Sequence, residues 1–233
     1  AANFFFSDHS LSAARATKLE KEIAYNYPDG PKPDGPARAS RPFDRQRRGK
    51  MLGERDAFFV LESESHASAR SAPRRARLAG YGASADAHHW TEPCPDGQEA
   101  AMRSALADAG LSVGDIGCIN AHGTGTVLGD QVESASITRV FGNDRRGAPW
   151  VTSTKGTHGH LLGASGAIEL AACIATLERQ AVPPTRNLEA PDEGNMLRLV
   201  RGEAAPLPRG RAVLSNSFAF GGSNACLMVQ SVA

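Results

Sequence analysis

The stretch VTSTKGTHGHLLGASG, residues 151–166, ends a short apolar run in Lys155, His158 and His160 before Gly and Ala open a helical pattern. Read as a strand running into a helix N-terminus, it suits anion chemistry. Unpaired backbone N–H groups and the positive end of the helix dipole stabilise negative charge that sits or develops there. Lys155 adds a cation and His160 an acid/base group. CINAHGTGTVLGD, residues 118–130, is a second junction of this kind, in which an apolar run ends in Asn120 and His122 and small turn-forming residues follow. Two strand ends thus present one imidazole each. The Gly residues of HGTGT let a substrate backbone approach closely, and its Thr hydroxyls can orient it. At a helix start the dipole disfavours the protonated form of His160 and leaves a neutral imidazole that donates one hydrogen bond. Two neutral imidazoles converging on one carbonyl oxygen would stabilise an enolate.

Other residues near these junctions admit two readings. Asp130 and Glu133 lie about one helical turn apart and share a face. They either complement the helix dipole or supply a carboxylate that orders Lys155. Lys155 fits a buried ion pair better than a Schiff-base amine, because no aldolase-like context accompanies it. His158 and His160 form an HxH pair, but spacing suggests no third ligand, so no metal is expected. His88 and His89 read as an exposed loop pair. Gly163, Ala164, Ser165 and Gly166 permit tight packing or the close approach of another backbone. Phe220, in FAFGGS, is either ordinary packing or a bulky plug whose backbone N–H faces a site.

The elements that must position these residues alternate along the chain. Buried or half-buried strands are expected at 57–62, 77–85, 116–121 and 150–153, and 211–217 with 224–230 as a closing hairpin. Gly80 and Gly82 weaken the second strand or mark a bulge. A polar helical turn is expected at 64–70. Helices are expected at 96–111, capped by Asp96 and stopped by Gly110, at 129–141, and at 160–180. This pattern is α/β with a mixed sheet. Residues 1–38 read as an N-terminal extension, a short helix over 11–25 followed by a Pro/Gly/Asp-rich linker. Residues 39–233 read as one domain.

The 233 residues suffice for a proper core, and a net charge of +1 gives no reason to expect nucleic acid. No run of about twenty apolar residues is present to span a bilayer. The four cysteines, Cys94, Cys118, Cys173 and Cys226, are scattered and form no CxxC pair, which argues against a disulfide framework or structural zinc. A reducing, cytoplasmic setting is expected. The opening AANFFFSDHS carries no basic segment of the secretory kind, so no address is read there.

HGTGTVLGDQVE, STKGTHGHLLGASGAIE, VPPTRN and SNSFAFGGSNACL occur in this order, preceded by SRPFDRQRRGKMLGE and a VLE segment with His66 after it. Together they resemble the second half of a β-ketoacyl-acyl-carrier-protein synthase of the elongating, type II kind, over residues 39–230. The resemblance implies a thiolase-like layered αβαβα fold, of which this would be the C-terminal half. It implies decarboxylative Claisen condensation of an acyl thioester with malonyl-carrier protein in fatty acid or polyketide synthesis, without a cofactor. The implied partners are an acyl carrier protein, acyl and malonyl thioesters, and a second subunit, as homodimer or as heterodimer with a chain carrying the Cys. His122 and His160 match the family's two active-site His, and Lys155 the Lys five positions before the second. Phe220 matches the gating Phe whose backbone N–H helps form the oxyanion hole. Glu133 matches the carboxylate associated with the Lys.

The sequence also departs from the pattern. The family's nucleophilic Cys belongs to its first half, and none of the four cysteines here sits in a comparable small-residue turn. The chain therefore reads as part of a longer synthase, as one chain of a split protein, or as a non-condensing partner akin to a chain-length factor. Malonyl decarboxylation without condensation is a further option, since two His can stabilise an enolate without the thiolate. A half-fold of this kind is expected to expose apolar surface. Lys50, Arg55 and Asp56 stand where the family has a more apolar, Gly-rich loop, and Ala219 replaces a Gly. The basic cluster Arg45, Arg47, Arg48 and Lys50 reads as a solvated loop face in preference to a phosphate or acyl-carrier contact.

Overall fold

Residues 36–144, 147–208 and 211–232 are described by a computed structural model of the chain. In order they form α1 (Glu64–Ala69), β1 (Arg77–Ala85), α2 (Pro95–Ala109), β2 (Ile116–Asn120), α3 (Val127–Phe141), β3 (Trp150–Thr152) and α4 (Lys155–His158). Next come α5 (Ser165–Arg179), β4 (Ala181–Val182), β5 (Arg198–Leu199), β6 (Ala205–Pro206), β7 (Ala212–Ala219) and β8 (Ser223–Gln230). Six strands make one mixed sheet in the order β1-β8-β7-β2-β3-β5. The pairs β7/β2, β2/β3 and β3/β5 are parallel, whereas β8 runs antiparallel to both β1 and β7. β4 and β6 form a separate antiparallel pair.

The central strands read as nearly continuous apolar runs because both of their faces are covered. All five residues of β2 are buried. Successive side chains then alternate between two cores. Ile119, Leu214 and Met228 pack with Ala101, Met102, Ala105 and Ile137 of α2 and α3. Cys118, Val213 and Val229 pack with Cys173, Ile174 and Leu177 of α5. The result is a helix–sheet–helix sandwich. Parallel strands β2 and β3 consequently end on the same edge, which is where the two sequence motifs meet.

Gly80 and Gly82 have a packing reason. A Cβ at Gly82 would stand 2.1 Å from the carbonyl oxygen of Ala101, and one at Gly80 would stand 2.6 Å from that of Ala105. α2 thus lies directly on the backbone of β1. The expected bulge is present as well, as a register shift between Leu78 and Gly80. Gly110 ends α2 in the left-handed conformation, φ 65°, as a helix-stopping Gly should.

Other expectations are corrected. Residues 57–62 form no strand: the sheet ends at β1 and β5 without them, and Phe58 and Leu61 are 70% and 69% exposed. Apolar surface is thus displayed at these two residues. Asp96 does not cap α2. Cys94 holds that position with Pro95 after it, and Asp96 ion-pairs with Arg139 at 2.7 Å. The long helix begins at Ser165, because a left-handed Leu162 and a 3-10 turn, Leu162–Ala164, interrupt the chain after His160. The helix expected over 11–25 lies outside the described residues. Among those described, no helix is long and apolar enough to cross a membrane.

Gly82→Ala should lower unfolding stability in urea by about 1–3 kcal/mol, since its methyl group meets helix backbone that cannot yield alone. Gly114→Ala, where the nearest atom to the added carbon is 3.6 Å away, should stay within about 0.5 kcal/mol. Equal effects would contradict the close approach of α2 to β1.

Candidate functional site

β2 and β3 deliver their motifs side by side, and the backbone joins them: the N–H of Ala121 donates to the carbonyl of Thr152 at 2.8 Å. Past β2 the chain turns sharply, with Gly123 and Gly125 at positive φ. Glu133, in the second turn of α3, accepts from the N–H groups of His122 (2.8 Å) and Gly123 (2.7 Å) and from the Asn216 amide (3.2 Å). Its carboxylate therefore fixes the backbone that carries His122. Asp130 does the same one turn earlier, accepting from the N–H of Gly125 (3.1 Å) and of Phe43 (2.7 Å). Burial pushes the Asp130 carboxyl up to about 7 against those bonds and the nearby Arg47 charge.

Arg47 corrects the solvated-loop expectation. Its guanidinium is buried, donates to the carbonyls of Asp44, Thr126 and Val127, and pairs with Asp192 at 2.6 Å. Arg45 and Arg48 are exposed, as expected, while Lys50 is half-buried.

Lys155, 1% exposed, opens α4. Its ion-pair partner is Glu169 of α5, not Glu133. Glu133 bonds backbone N–H groups and the Asn216 amide, and it acts on Lys155 through charge and not through a hydrogen bond. Burial raises the Glu169 carboxyl to about 7 in spite of the ammonium. Glu169 was missed in the sequence, although a lone carboxylate inside the apolar run AIELAACIA was the available signal.

Hydrogen bonding fixes the tautomers of both imidazoles. The ammonium of Lys155 has only donors, and it lies 3.4 Å from Nδ1 of His122, so that nitrogen accepts. For His160, the N–H of Leu162 donates to Nδ1 at 3.0 Å, and the Ser165 hydroxyl stands 3.1 Å away. Each neutral ring then carries its proton on Nε2. The ring centroids are 5.4 Å apart and the planes nearly perpendicular, at 87°. Both rings are half-buried, so an edge of each stays open. Phe218, not singled out in the sequence, packs 6.1 Å from the His122 ring.

Both imidazoles are held neutral, chiefly by burial. Burial, then the Lys155 charge, lowers His160 to about 4, with Lys50 and His158 adding to it. His122 falls well below its ordinary range from burial, then Lys155, His160 and Lys50. The helix dipole expected to act on His160 is absent at that position, because α5 starts five residues later. The His160 backbone is instead pinned on both sides: its N–H donates to Met51 at 2.6 Å and its carbonyl accepts from Gly53 at 3.0 Å.

His158 does not join the pair. Its Nδ1 bonds the Gly159 carbonyl at 2.7 Å and its Nε2 the Thr154 hydroxyl at 3.0 Å, so neither nitrogen is free for a metal. His88 and His89 are exposed. Phe220 is 68% exposed in the 3-10 turn Phe220–Gly222, and the Lys50 ammonium sits 4.8 Å from its ring centroid. Cys118, Cys173 and Cys226 are buried thiols whose pKa burial raises, that of Cys173 to about 12.

The family described as "Beta-ketoacyl synthase, C-terminal domain" matches residues 75–189. Nodulation protein E of Rhizobium meliloti is 46% identical over 195 residues, which is 82% of this chain and 47% of that protein. The 3-oxoacyl-[acyl-carrier-protein] synthase 2 of Vibrio cholerae serotype O1 is 43% identical over 197 residues, 84% of this chain and 48% of that protein. Among solved structures, the ishigamide ketosynthase/chain length factor superposes with a TM-score of 0.82 at 36% identity, over 99% of this chain and 54% of that one. The fold is thus that of the thiolase-like ketosynthases. The chain belongs to the β-ketoacyl synthase family and carries its C-terminal domain. It spans about half the length of the curated relatives it matches.

In an NMR titration, the His160 and His158 ring signals should stay in the neutral form from pH 8 down to 5 and move only near pH 4. A His160 midpoint at or above about 6, near the free value, would show the ring unshifted. Glu169→Gln strands the Lys155 ammonium in the interior, and stability should fall by about 3–5 kcal/mol. A loss below about 1 kcal/mol would place the pair in a wet, surface-like environment.

Proposed function

We propose that the chain supplies the enolate-stabilising half of a ketosynthase, acting in decarboxylative Claisen condensation of an acyl thioester with malonyl-carrier protein. One observation carries this reading. Two neutral rings, 5.4 Å apart, each have Nδ1 engaged as acceptor, which leaves two Nε2–H donors for one oxygen. In the reaction the bond between the α-carbon and the malonyl carboxylate breaks. Carbon dioxide leaves, and the electron pair passes to the α-carbon and the thioester oxygen. His122 and His160 donate to that oxygen as its charge grows, and pre-set donors in a water-poor site act at their strongest there. Burial and then the Lys155 charge keep both rings neutral, and Lys155 fixes the His122 tautomer. The Phe220 backbone N–H serves the acyl thioester's oxyanion and its side chain gates the site.

The enolate carbon then attacks the acyl thioester carbonyl, forming the carbon–carbon bond, and the tetrahedral adduct collapses as its carbon–sulfur bond breaks and the thiolate leaves. The thiolate holding that acyl group comes from outside these 233 residues in this reading, since the three buried thiols are held protonated and Cys94 sits at the N-cap of α2 and not in a strand-end turn. The partners in this reading are an acyl carrier protein and a second subunit, either a copy or a chain bearing the Cys. Four free cysteines fit a cytoplasmic setting.

Carbon dioxide release from malonyl-carrier protein needs no thiolate and tests the reading directly. Removing one donor, by His122→Ala or His160→Ala, should lower that rate about 10²–10³-fold. The match to a structure pairing a ketosynthase with a chain length factor favours a second reading, a non-catalytic assembly subunit. Wild-type release no faster than that of the double variant would select it.

A further inference from the structure

We propose that Lys50 is a substrate-recognition residue, its ammonium binding the free carboxylate of a malonyl-type acyl group seated on the two imidazoles; this rests on the reading of the site given above. The backbone places residue 50 between the two motifs. Next to it, the N–H of Gly49 donates to the carbonyl of Gly125 in the His122 loop at 3.0 Å, and the carbonyl of Met51 accepts from the N–H of His160 at 2.6 Å. From that position the side chain reaches the third wall, where its ammonium stands 4.8 Å from the Phe220 ring centroid.

Lys50 is half-buried, and among the described residues no carboxylate lies within ion-pair distance of it. Its neighbours are an aromatic face and two rings held neutral, both of which feel its charge. A half-buried cation against these groups, with no carboxylate partner among the described residues, is offset by an anion that arrives with the ligand. Malonyl thioesters bring one. The carboxyl carbon is two bonds from the thioester carbonyl carbon, so a thioester oxygen held by the imidazoles leaves the carboxylate beside the same pocket.

The pairing has a kinetic consequence. Cleavage moves charge from the carboxylate onto the enolate and releases neutral carbon dioxide. A cation on the carboxylate therefore stabilises the bound substrate more than the transition state, tightening binding and slowing the step. Lys50 makes the site selective for a carboxylated acyl group at some loss of turnover.

The test compares malonyl and acetyl pantetheine analogues without phosphate, in which an amide replaces the thioester so that no carbon dioxide is lost. Calorimetry on the full chain should give malonyl binding about ten-fold tighter than acetyl, one charge-assisted contact's worth. Lys50→Met should remove the preference and Lys50→Arg keep it. A preference that survives Lys50→Met, or equal weakening of both analogues, overturns the proposal. So does a Lys50→Met loss confined to a phosphate-bearing acetyl probe, which would assign the ammonium to phosphate. With malonyl-carrier protein, Lys50→Met should raise KM and kcat together, and a fall in kcat contradicts the proposal. A wild-type chain that releases no carbon dioxide at all would remove the enolate reading, while the calorimetric preference would still decide what Lys50 binds.

Discussion

A lysine ammonium almost wholly removed from water is the constraint on which the rest of the site depends. Removing an unpaired charge from water is prohibitive, so Lys155 must be held by an opposite charge and by acceptors. Glu169 supplies the charge from α5, and Nδ1 of His122 supplies an acceptor. Each contact has a further effect. Pairing with Glu169 ties the helix on one face of the sheet to the strand end on the other side of the motif. The contact with His122 decides which of its nitrogens carries the proton. After burial, the same positive charge is the next cause that holds His160 neutral as well.

The two buried carboxylates of α3 solve a different problem. The HGTGT turn leaves backbone N–H groups inside the protein without strand or helix partners, and such groups must be satisfied. Glu133 takes those of His122 and Gly123; Asp130 takes those of Gly125 and Phe43. Arg47 completes the arrangement by donating to the carbonyls of Thr126 and Val127 at the start of α3. These bonds act on the loop rather than on any ligand. Their function is to hold His122 at one distance from His160.

The periodicity of the sequence made the fold legible: the strands at β1, β2, β3, β7 and β8 and the helices at α2, α3 and α5 follow from it. What failed were statements depending on neighbours far along the chain. Residues 57–62 are apolar enough for a strand, but no sheet edge among the described residues receives them. His160 was expected to owe its neutrality to a helix start. A 3-10 turn behind a left-handed Leu162 intervenes, so burial and Lys155 supply it instead. Arg47 looked like one of several solvated cations, since nothing local reveals that carbonyls 80 residues on converge on it. Glu169 and Phe218 could be found only by asking which charged or aromatic residue in an apolar run would face a strand end. Chemistry-bearing types were readable singly, and their pairing was not.

The cysteines show how the pleat of one strand separates structure from chemistry. Cys118 lies on β2, four residues before His122, close enough in sequence to invite a catalytic role. Strand geometry sends its side chain into the core beneath α5, with Cys173 and Val213, while Ile119 takes the opposite face. There burial raises the thiol's pKa, and the neighbouring Cys173 raises it further. A thiolate needs the reverse, a nearby cation or helix N-terminus and access to solvent. The cations of this site, Lys155 and Lys50, sit on the imidazole side. The sheet thus separates a core that protonates its thiols from a polar edge that keeps its imidazoles neutral, and any thiolate serving this edge has to approach from the open side of the two rings.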